Sequence, residues 1–299
     1  MGRVRTAENL RSGSRKEKES IVRTAALGQM LSKDKPRGLS CPTCIGIVDD
    51  REENDQFGWI FRMPEGSEQG TELQTLHSVL GQSEVKPTLA ERISLSVKLA
   101  STLLCLHTTD WLHKGIHSDN VLIPRGNGGL RVEGAFLSGL DYSRPQSNKT
   151  TSRSLDPKWD IYRWPGVQNE AVEAGRFRKT YDIYSLGLVF IEIGHWERLN
   201  RLVNLKRWPA SSSQDSRIRG WLLREDVGAP FENSNPLVQL RSVVGERYWN
   251  ATRRCLIAHG EGGMRVREER DQAQTPQIDI ELHAAFTELV LGELNSIAV

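Results

Sequence analysis

The sequence predicts an α+β fold in which a small strand-containing part precedes a larger, mainly helical part. Two apolar segments near the N-terminus, 45–48 and 57–63, have the composition of short strands and are joined by polar residues. Two longer segments, 89–107 and 182–193, carry apolar residues around most of the helical surface, which is typical of buried helices. With 299 residues, the chain is long enough to bury the core that such helices need.

Composition and charge exclude several classes of protein. Forty Lys and Arg residues against 38 Asp and Glu leave a net charge of +2, far from the basic excess of a nucleic-acid-binding protein. Four scattered cysteines do not form a secreted disulfide framework and indicate a reducing compartment. No apolar run reaches the roughly 18 residues of a membrane span, and no signal peptide is recognisable. We therefore expect a cytoplasmic protein with no transmembrane segment and no nucleic-acid partner.

The N-terminal part is predicted to contain one helix and two strands. Residues 1–40 carry ten Lys or Arg and four Asp or Glu, so the chain begins with a basic stretch. The apolar positions of 16–31 fit an amphipathic helix. The two strands follow, and the acidic connection between them predicts an antiparallel pair. A polar stretch without a predicted element then extends to Gly81.

The larger part is predicted to consist of helices interrupted by one hairpin. The hairpin is expected where 121–123 and 130–137 flank the turn Arg-Gly-Asn-Gly-Gly, because Gly and Asn tolerate the positive φ of a tight turn. Further helices are expected at 246–257 and 280–295, whereas 142–160 is polar and irregular.

The segment 111–123, Trp-Leu-His-Lys-Gly-Ile-His-Ser-Asp-Asn-Val-Leu-Ile, resembles the catalytic loop of protein kinases. His113 takes the place of the His of that motif, and Asn120 takes the place of its metal-binding Asn. Gly115 stands where the catalytic Asp is expected. The loop therefore keeps the His and the Asn of the motif and lacks its catalytic Asp.

Further matches follow in the order and spacing of the same family. The segment 137–144, Leu-Ser-Gly-Leu-Asp-Tyr-Ser-Arg, occupies the place of the Asp-Phe-Gly motif. Gly139 stands at its magnesium-binding Asp, and Asp141 falls two residues later. Asp182 and Gly187 match the Asp and Gly with which kinases anchor the catalytic loop.

The resemblance implies a protein kinase-like fold with truncated N-lobe strands and a mainly α-helical C-lobe. It covers roughly residues 16–299 and is closest to the diverged kinase-like domains of filamentous fungi, which are often found beside prion-forming or cell-death modules. The implied regions are a basic tail at 1–15, a residual N-lobe at 16–66 and a C-lobe at 67–299. The predicted first helix takes the place of the kinase C-helix, but the Gly-rich strands and the strand lysine that precede it in kinases have no counterpart in this sequence.

The resemblance also implies ATP and Mg²⁺ as cofactors, together with the residues that would serve them. The residues that correspond to the adenine slot are Phe61, Met63 and Leu122. The candidate catalytic residues are His113 and Asn120, which match the motif, and Asp119, a nearby acid that would compensate for Gly115. The candidate metal ligands are Asn120, which matches the metal-binding Asn, and Asp141, a nearby acid that would compensate for Gly139. In kinases the matching His packs beneath the Phe of the Asp-Phe-Gly motif, so a structural role is expected for His113.

Three functions stay open at this point. Gly at both Asp positions predicts a catalytically impaired pseudokinase that acts in signalling or protein interaction, because phosphoryl transfer depends on those carboxylates. An active but unorthodox protein kinase would use Asp119 or Asp141 instead. A partner-binding module that does not bind nucleotide would need neither. In each case we expect protein partners, and the basic N-terminus would suit acidic partners or peripheral contact with a membrane surface.

Overall fold

The computed structural model describes most of the chain and shows an α+β fold. Among the described residues, three small β-sheets lie in the N-terminal half and the remainder is mostly helical, which confirms the predicted fold class. The residues that it describes are 15–32, 34–50, 56–82, 84, 86–140, 143–145, 156–168, 177–205, 208–209, 212–225, 235–267 and 276–298.

The N-terminal part is built from one helix and one strand pair. Helix α1 (Arg15–Ser32) is followed by β1 (Thr43–Asp50) and β2 (Gln56–Arg62), which pair antiparallel. The predicted helix and the predicted antiparallel pair are therefore both confirmed. A β-bulge between Cys44 and Gly46 interrupts the register of β1.

Helix α1 packs closely against this strand pair. Its residues Leu27 and Leu31 are buried, and burial of one such side chain stabilises a fold by about 1.5–3 kcal/mol. A Cβ added to Gly28 would lie 3.0 Å from Cδ1 of Ile47 in β1. The absence of a side chain at position 28 therefore allows the helix to approach the sheet.

Six further strands follow: β3 (Glu72–Thr75), β4 (Trp111–Leu112), β5 (Val121–Gly126), β6 (Gly129–Leu130), β7 (Phe136–Leu137) and β8 (Arg144–Pro145). β5 pairs antiparallel with β3, β6 and β7, while β4 pairs with β8. The predicted hairpin is confirmed, but its second strand is shorter than predicted because a 3₁₀ turn, Val132–Gly134, separates β6 from β7. β3 lies in the stretch for which the sequence predicts no element.

The other α-helices of the described chain are α2 (Leu76–Val79), α3 (Leu89–Thr108), α4 (Lys179–His195), α5 (Leu199–Leu202), α6 (Ser212–Leu222), α7 (Pro236–Val244), α8 (Glu246–Ile257), α9 (Pro276–Phe286) and α10 (Glu293–Asn295). A short π-helical segment, Thr287–Gly292, joins the last two. The predicted helices correspond to α3, α4, α8 and the α9–α10 region, whereas α6 and α7 are not predicted. Among the described helices, none combines the length and the apolarity that crossing a membrane requires.

Helix α4 forms the centre of the helical part. All of its residues except Tyr181 and His195 are buried, as its nearly uniform apolar sequence predicts. A Cβ added to Gly187 would lie 2.8 Å from Cβ of Cys255 in α8. The backbones of α4 and α8 are therefore close enough at this position that only glycine fits.

Candidate functional site

The loop 113–120 is held from below by a buried carboxylate. Asp182, near the start of α4, accepts hydrogen bonds from the backbone N–H groups of His113 and Lys114, both at 2.8 Å. Its carboxylate also lies 3.2 Å from Nε2 of His107 in α3. The role of Asp182 as an internal anchor of the loop is therefore confirmed.

His113 joins this loop to the segment that contains Gly139. The side chain is fully buried, and its Nδ1 accepts a hydrogen bond from the backbone N–H of Gly115 at 3.2 Å. Because Nδ1 accepts, Nε2 carries the ring proton and donates it to the carbonyl of Ser138 at 2.9 Å. His113 does not line the cleft described below. The geometry favours a positioning role for this histidine.

The side chain of Asn120 lies between the two glycines at the expected Asp positions. Its Nδ2 donates to the carbonyl of Gly115 at 2.6 Å and lies 3.0 Å from Nε2 of His117. Gly139 has φ +74°, and a Cβ built on it would be only 2.1 Å from Cγ of Asn120. The amide of Asn120 therefore fills the space that a side chain at position 139 would need.

An aromatic stack supports this arrangement. The ring of His117 lies parallel to that of Trp159, with centroids 4.1 Å apart. Burial, with the neighbouring His113 and Arg163, lowers the pKa of His117 to about 3. Burial, with Arg198, likewise lowers the pKa of His77 to about 4. Both imidazoles are neutral at pH 7, and neither adds positive charge to the site.

A buried polar chain runs below the same loop, and sequence reasoning did not find it. Nδ1 of His77 lies 3.3 Å from Oγ of Ser118, which lies 3.1 Å from the hydroxyl of Tyr162. That hydroxyl donates to Oε1 of Glu192 at 2.7 Å, and the backbone N–H of Leu199 donates to the same oxygen at 2.8 Å. Burial raises the pKa of Glu192 to about 7. Glu192, an acidic residue within the apolar run of α4, was the signal available in the sequence.

A cleft of about 200 Å³ opens over the loop. The residues that line it include Asn120, Gly139, Trp159, Phe177 and several other residues of the loop 113–120. The acidic residues that line it are Asp119 and Asp156. Asp119 lines the cleft, and its role as a base stays a prediction.

Of the three residues predicted for the adenine slot, Phe61 alone lines the small pocket beside α1. Phe61 lines a small pocket of about 60 Å³ with Gly139, Leu140 and residues of α1. Met63 and Leu122 do not line that pocket. Met63 is 41% exposed just after β2, and Leu122 is half-buried in β5.

The described part of the site brings together only some of the predicted metal ligands. Asp141 lies outside the described residues. Asn120 donates its amide N–H within the protein, its Oδ1 is the oxygen that would bind a metal, and Gly139 offers no carboxylate. Among the described residues, no group of three or more His, Cys, Asp or Glu side chains is placed to hold a metal. Mg²⁺ is usually held by one or two carboxylates together with substrate phosphates, and the acidic residues on this cleft are Asp119 and Asp156.

The lowered pKa of His117 predicts a specific acid sensitivity. The unfolded chain protonates this histidine near its ordinary pKa of about 6.5, whereas the folded chain resists protonation down to about pH 3. The stability that the neutral ring contributes is therefore present above pH 6.5 and is lost as the pH falls. Between pH 7 and pH 4, His117→Phe should lose about 3 kcal/mol less unfolding free energy than the unmodified protein.

Urea unfolding at a series of pH values measures this difference. The substitution keeps a ring against Trp159 but removes the contact with Asn120, which shifts stability equally at every pH. Only the change with pH is therefore informative. Parallel curves for the two proteins would show that His117 does not resist protonation in the folded state.

A comparison with known protein families finds one match for the part of the chain that contains this site. Residues 68–198 match the family model of protein tyrosine and serine/threonine kinases. The matched range includes the loop 113–120, Gly139 and Asp182. No curated protein matches the chain. The α+β fold, the Asp182 anchor and this match together support a protein kinase-like domain.

Proposed function

We propose that the domain is a pseudokinase, which transfers phosphate poorly or not at all and acts in signalling by binding other proteins. The observation that carries the proposal is the position of the Asn120 amide. Its Nδ2 bonds to Gly115 and its side chain fills the space beside Gly139, and the residues at both expected Asp positions are glycines without a carboxylate.

The chemistry of phosphoryl transfer explains why this matters. In protein kinases, one Asp accepts the proton of the substrate hydroxyl and another, with an Asn, holds the metal ions that neutralise charge on the phosphates. Gly115 and Gly139 supply neither group. Positioning is demanding in such reactions, since a displacement of about 1 Å costs about 10²-fold in rate. A carboxylate elsewhere in the cleft would not restore the lost geometry by proximity alone.

The proposal includes only weak binding of ATP. The pocket beside Phe61 is mostly apolar, but its volume of about 60 Å³ is well below the roughly 300–1,000 Å³ of ordinary ligand pockets, so it gives a residual adenine site little support. The phosphates have less support, because the sequence has no Gly-rich loop and no strand lysine. ATP would therefore bind weakly and without a strong contribution from Mg²⁺.

A signalling role is supported by the resemblance of the segments 111–123 and 137–144 to fungal kinase-like domains found beside prion-forming or cell-death modules. Such a role fits a cytoplasmic location and protein partners. The basic N-terminal stretch, with ten Lys or Arg in residues 1–40, would add an electrostatic contact with acidic partners or with a membrane surface.

An active, unorthodox kinase is the second candidate, and the position of Asp119 favours it. This carboxylate lines the cleft within the catalytic-loop segment. A kinase of this kind would use Asp119 as the base, with Asp141 as a metal ligand, and would show magnesium-dependent turnover.

A phosphotransfer assay separates the two candidates. The full chain is incubated with radiolabelled ATP, Mg²⁺ and casein, beside the variants Asn120→Ala, Asp119→Asn and Asp141→Asn. The pseudokinase proposal predicts that incorporation into casein or into the chain itself equals that of Asn120→Ala. Robust incorporation that disappears in Asn120→Ala would refute it, and loss in Asp119→Asn would assign the base.

A further inference from the structure

The turn between β5 and β6 contains an asparagine that is followed by a glycine. The two strands pair antiparallel with Gly126 opposite Gly129, so Asn127 and Gly128 form the turn that joins them. Asn and Gly are common in such turns because both tolerate the backbone conformations of a tight reversal. Among the asparagines of the chain, Asn127 alone is followed by glycine. Its local chemistry therefore differs from that of the other asparagines.

Both residues of this turn are open to solvent. Asn127 and Gly128 are exposed, and a Cβ built on Gly128 would have no atom within 4 Å. Among the described residues, no neighbour forms a hydrogen bond with the N–H of Gly128 or with the side chain of Asn127. Short exposed turns are less restrained than the strands that they join. The side chain of Asn127 and the backbone nitrogen that follows it are therefore able to approach each other.

This approach allows a reaction within the chain, because groups held close together react far faster than separate molecules. The backbone nitrogen of Gly128 loses its proton to hydroxide, attacks Cγ of Asn127 and forms an N–Cγ bond. The bond between Cγ and Nδ2 breaks, and the amide nitrogen takes a proton from water and leaves as ammonia. Water then opens the cyclic imide at one of its carbonyl carbons. Opening at Cγ gives aspartate, and opening at the main-chain carbonyl gives isoaspartate.

The glycine matters because it leaves the attacking nitrogen uncovered. A residue with a Cβ restricts the backbone and places atoms beside its own nitrogen, whereas Gly128 has neither effect. Asn204 shows the contrast, since it is exposed as well but is followed by Leu205. Exposure alone therefore does not make an asparagine reactive in this way, and the combination at 127–128 does.

We propose that Asn127 is a site of spontaneous deamidation, with the backbone nitrogen of Gly128 as the nucleophile and water as the second reactant. The reaction adds a negative charge at the tip of the hairpin. In the isoaspartate product it also lengthens the main chain by one carbon atom, which changes the geometry of a turn that pairs Gly126 with Gly129. This modification goes beyond the pseudokinase proposal and does not depend on whether phosphate is transferred.

Peptide mass spectrometry of the full chain, incubated at neutral and at mildly alkaline pH, tests this site. Trypsin cleaves after Lys and Arg and so releases 126–131, in which Asn127 is the only asparagine. This peptide should gain the mass difference between an NH₂ and an OH group, faster at the higher pH, and should elute as separate aspartate and isoaspartate products. The peptide 202–206, which contains Asn204, should keep its amide. A sample digested without incubation gives the amount formed during digestion.

Gly128→Ala is the matched variant, because it keeps Asn127 and covers the nucleophile. The added Cβ would meet no atom within 4 Å, and the φ of Gly128 lies outside the left-handed region, so alanine fits this turn. Peptide 126–131 of the variant should gain mass several times more slowly, and circular dichroism checks that the variant remains folded.

Three results would overturn the proposal. An intact Asn127 amide at both pH values would show that the turn keeps the two groups apart. An equal mass gain in Gly128→Ala would show that the glycine does not provide access to the backbone nitrogen. An equal gain in the peptide 202–206 would show that exposure alone is sufficient and that this turn has no special reactivity.

Discussion

Asp182→Ala is expected to lower the free energy of unfolding by about 3–5 kcal/mol, because it removes the buried acceptor that anchors the loop. Two backbone N–H groups, of His113 and Lys114, donate to this carboxylate at 2.8 Å. A buried N–H without a partner costs about 1–3 kcal/mol. The nearby imidazole of His107 loses its contact as well.

Urea denaturation measures this loss, and two variants calibrate it. Asp182→Asn keeps one oxygen acceptor and should cost less than Asp182→Ala. Asp34→Ala, at an exposed position, should change the stability by no more than about 0.5 kcal/mol. If Asp182→Ala cost no more than Asp34→Ala, the carboxylate would not be what holds the loop.

Gly139→Asp is expected to destabilise the fold by about 3–5 kcal/mol and not to raise phosphate transfer. Gly139 has φ +74°, which strains any residue with a side chain. The new Cβ would also overlap the Asn120 side chain, whose Cγ is 2.1 Å away, so Asn120 would have to leave its bond with Gly115. Restoring the missing Asp alone thus damages the site.

A substitution at another glycine separates the cost of backbone strain from the cost of steric overlap with Asn120. Gly260 has φ +64° and no atom within 4 Å of an added Cβ, so Gly260→Asp carries the backbone strain alone. The difference between the two variants reports the collision with Asn120. It should shrink when Gly139→Asp is combined with Asn120→Ala, because that change removes the overlapping atoms. Equal losses for Gly139→Asp and Gly260→Asp would show that Asn120 does not occupy this space.

The main elements of the fold were predictable because their apolar patterns are local. The periodicity of α3 and the uniform apolarity of α4 identify both helices from sequence alone. β3 was missed because its sequence, Glu-Leu-Gln-Thr, has no strand pattern, and its conformation is set by pairing with β5. α7 was missed although its sequence contains a clear helix start. The side chain of Asn235 accepts the N–H of Leu237 as an N-cap, and Pro236 occupies the first helical position.

The loop of the site and its anchor were predictable from the sequence, whereas the positions of side chains within the site were not. The motif spacing identified the loop and the Asp182 anchor, since those depend on residue type and order. The position of the Asn120 amide was not predictable, because it depends on how the backbone at Gly139 folds back over the loop. The neutral state of His117 likewise follows from burial beside Trp159, which is distant in sequence.

The central claim is that this kinase-like domain lacks the metal-assisted half of kinase chemistry. A thermal-shift titration of the full chain with ATP, with and without Mg²⁺, tests it most directly, because a ligand that binds the folded state raises its apparent stability. We predict that Mg²⁺ adds nothing to whatever shift ATP produces. A saturable shift that requires Mg²⁺ and disappears in Asn120→Ala or Asp141→Asn would contradict the claim.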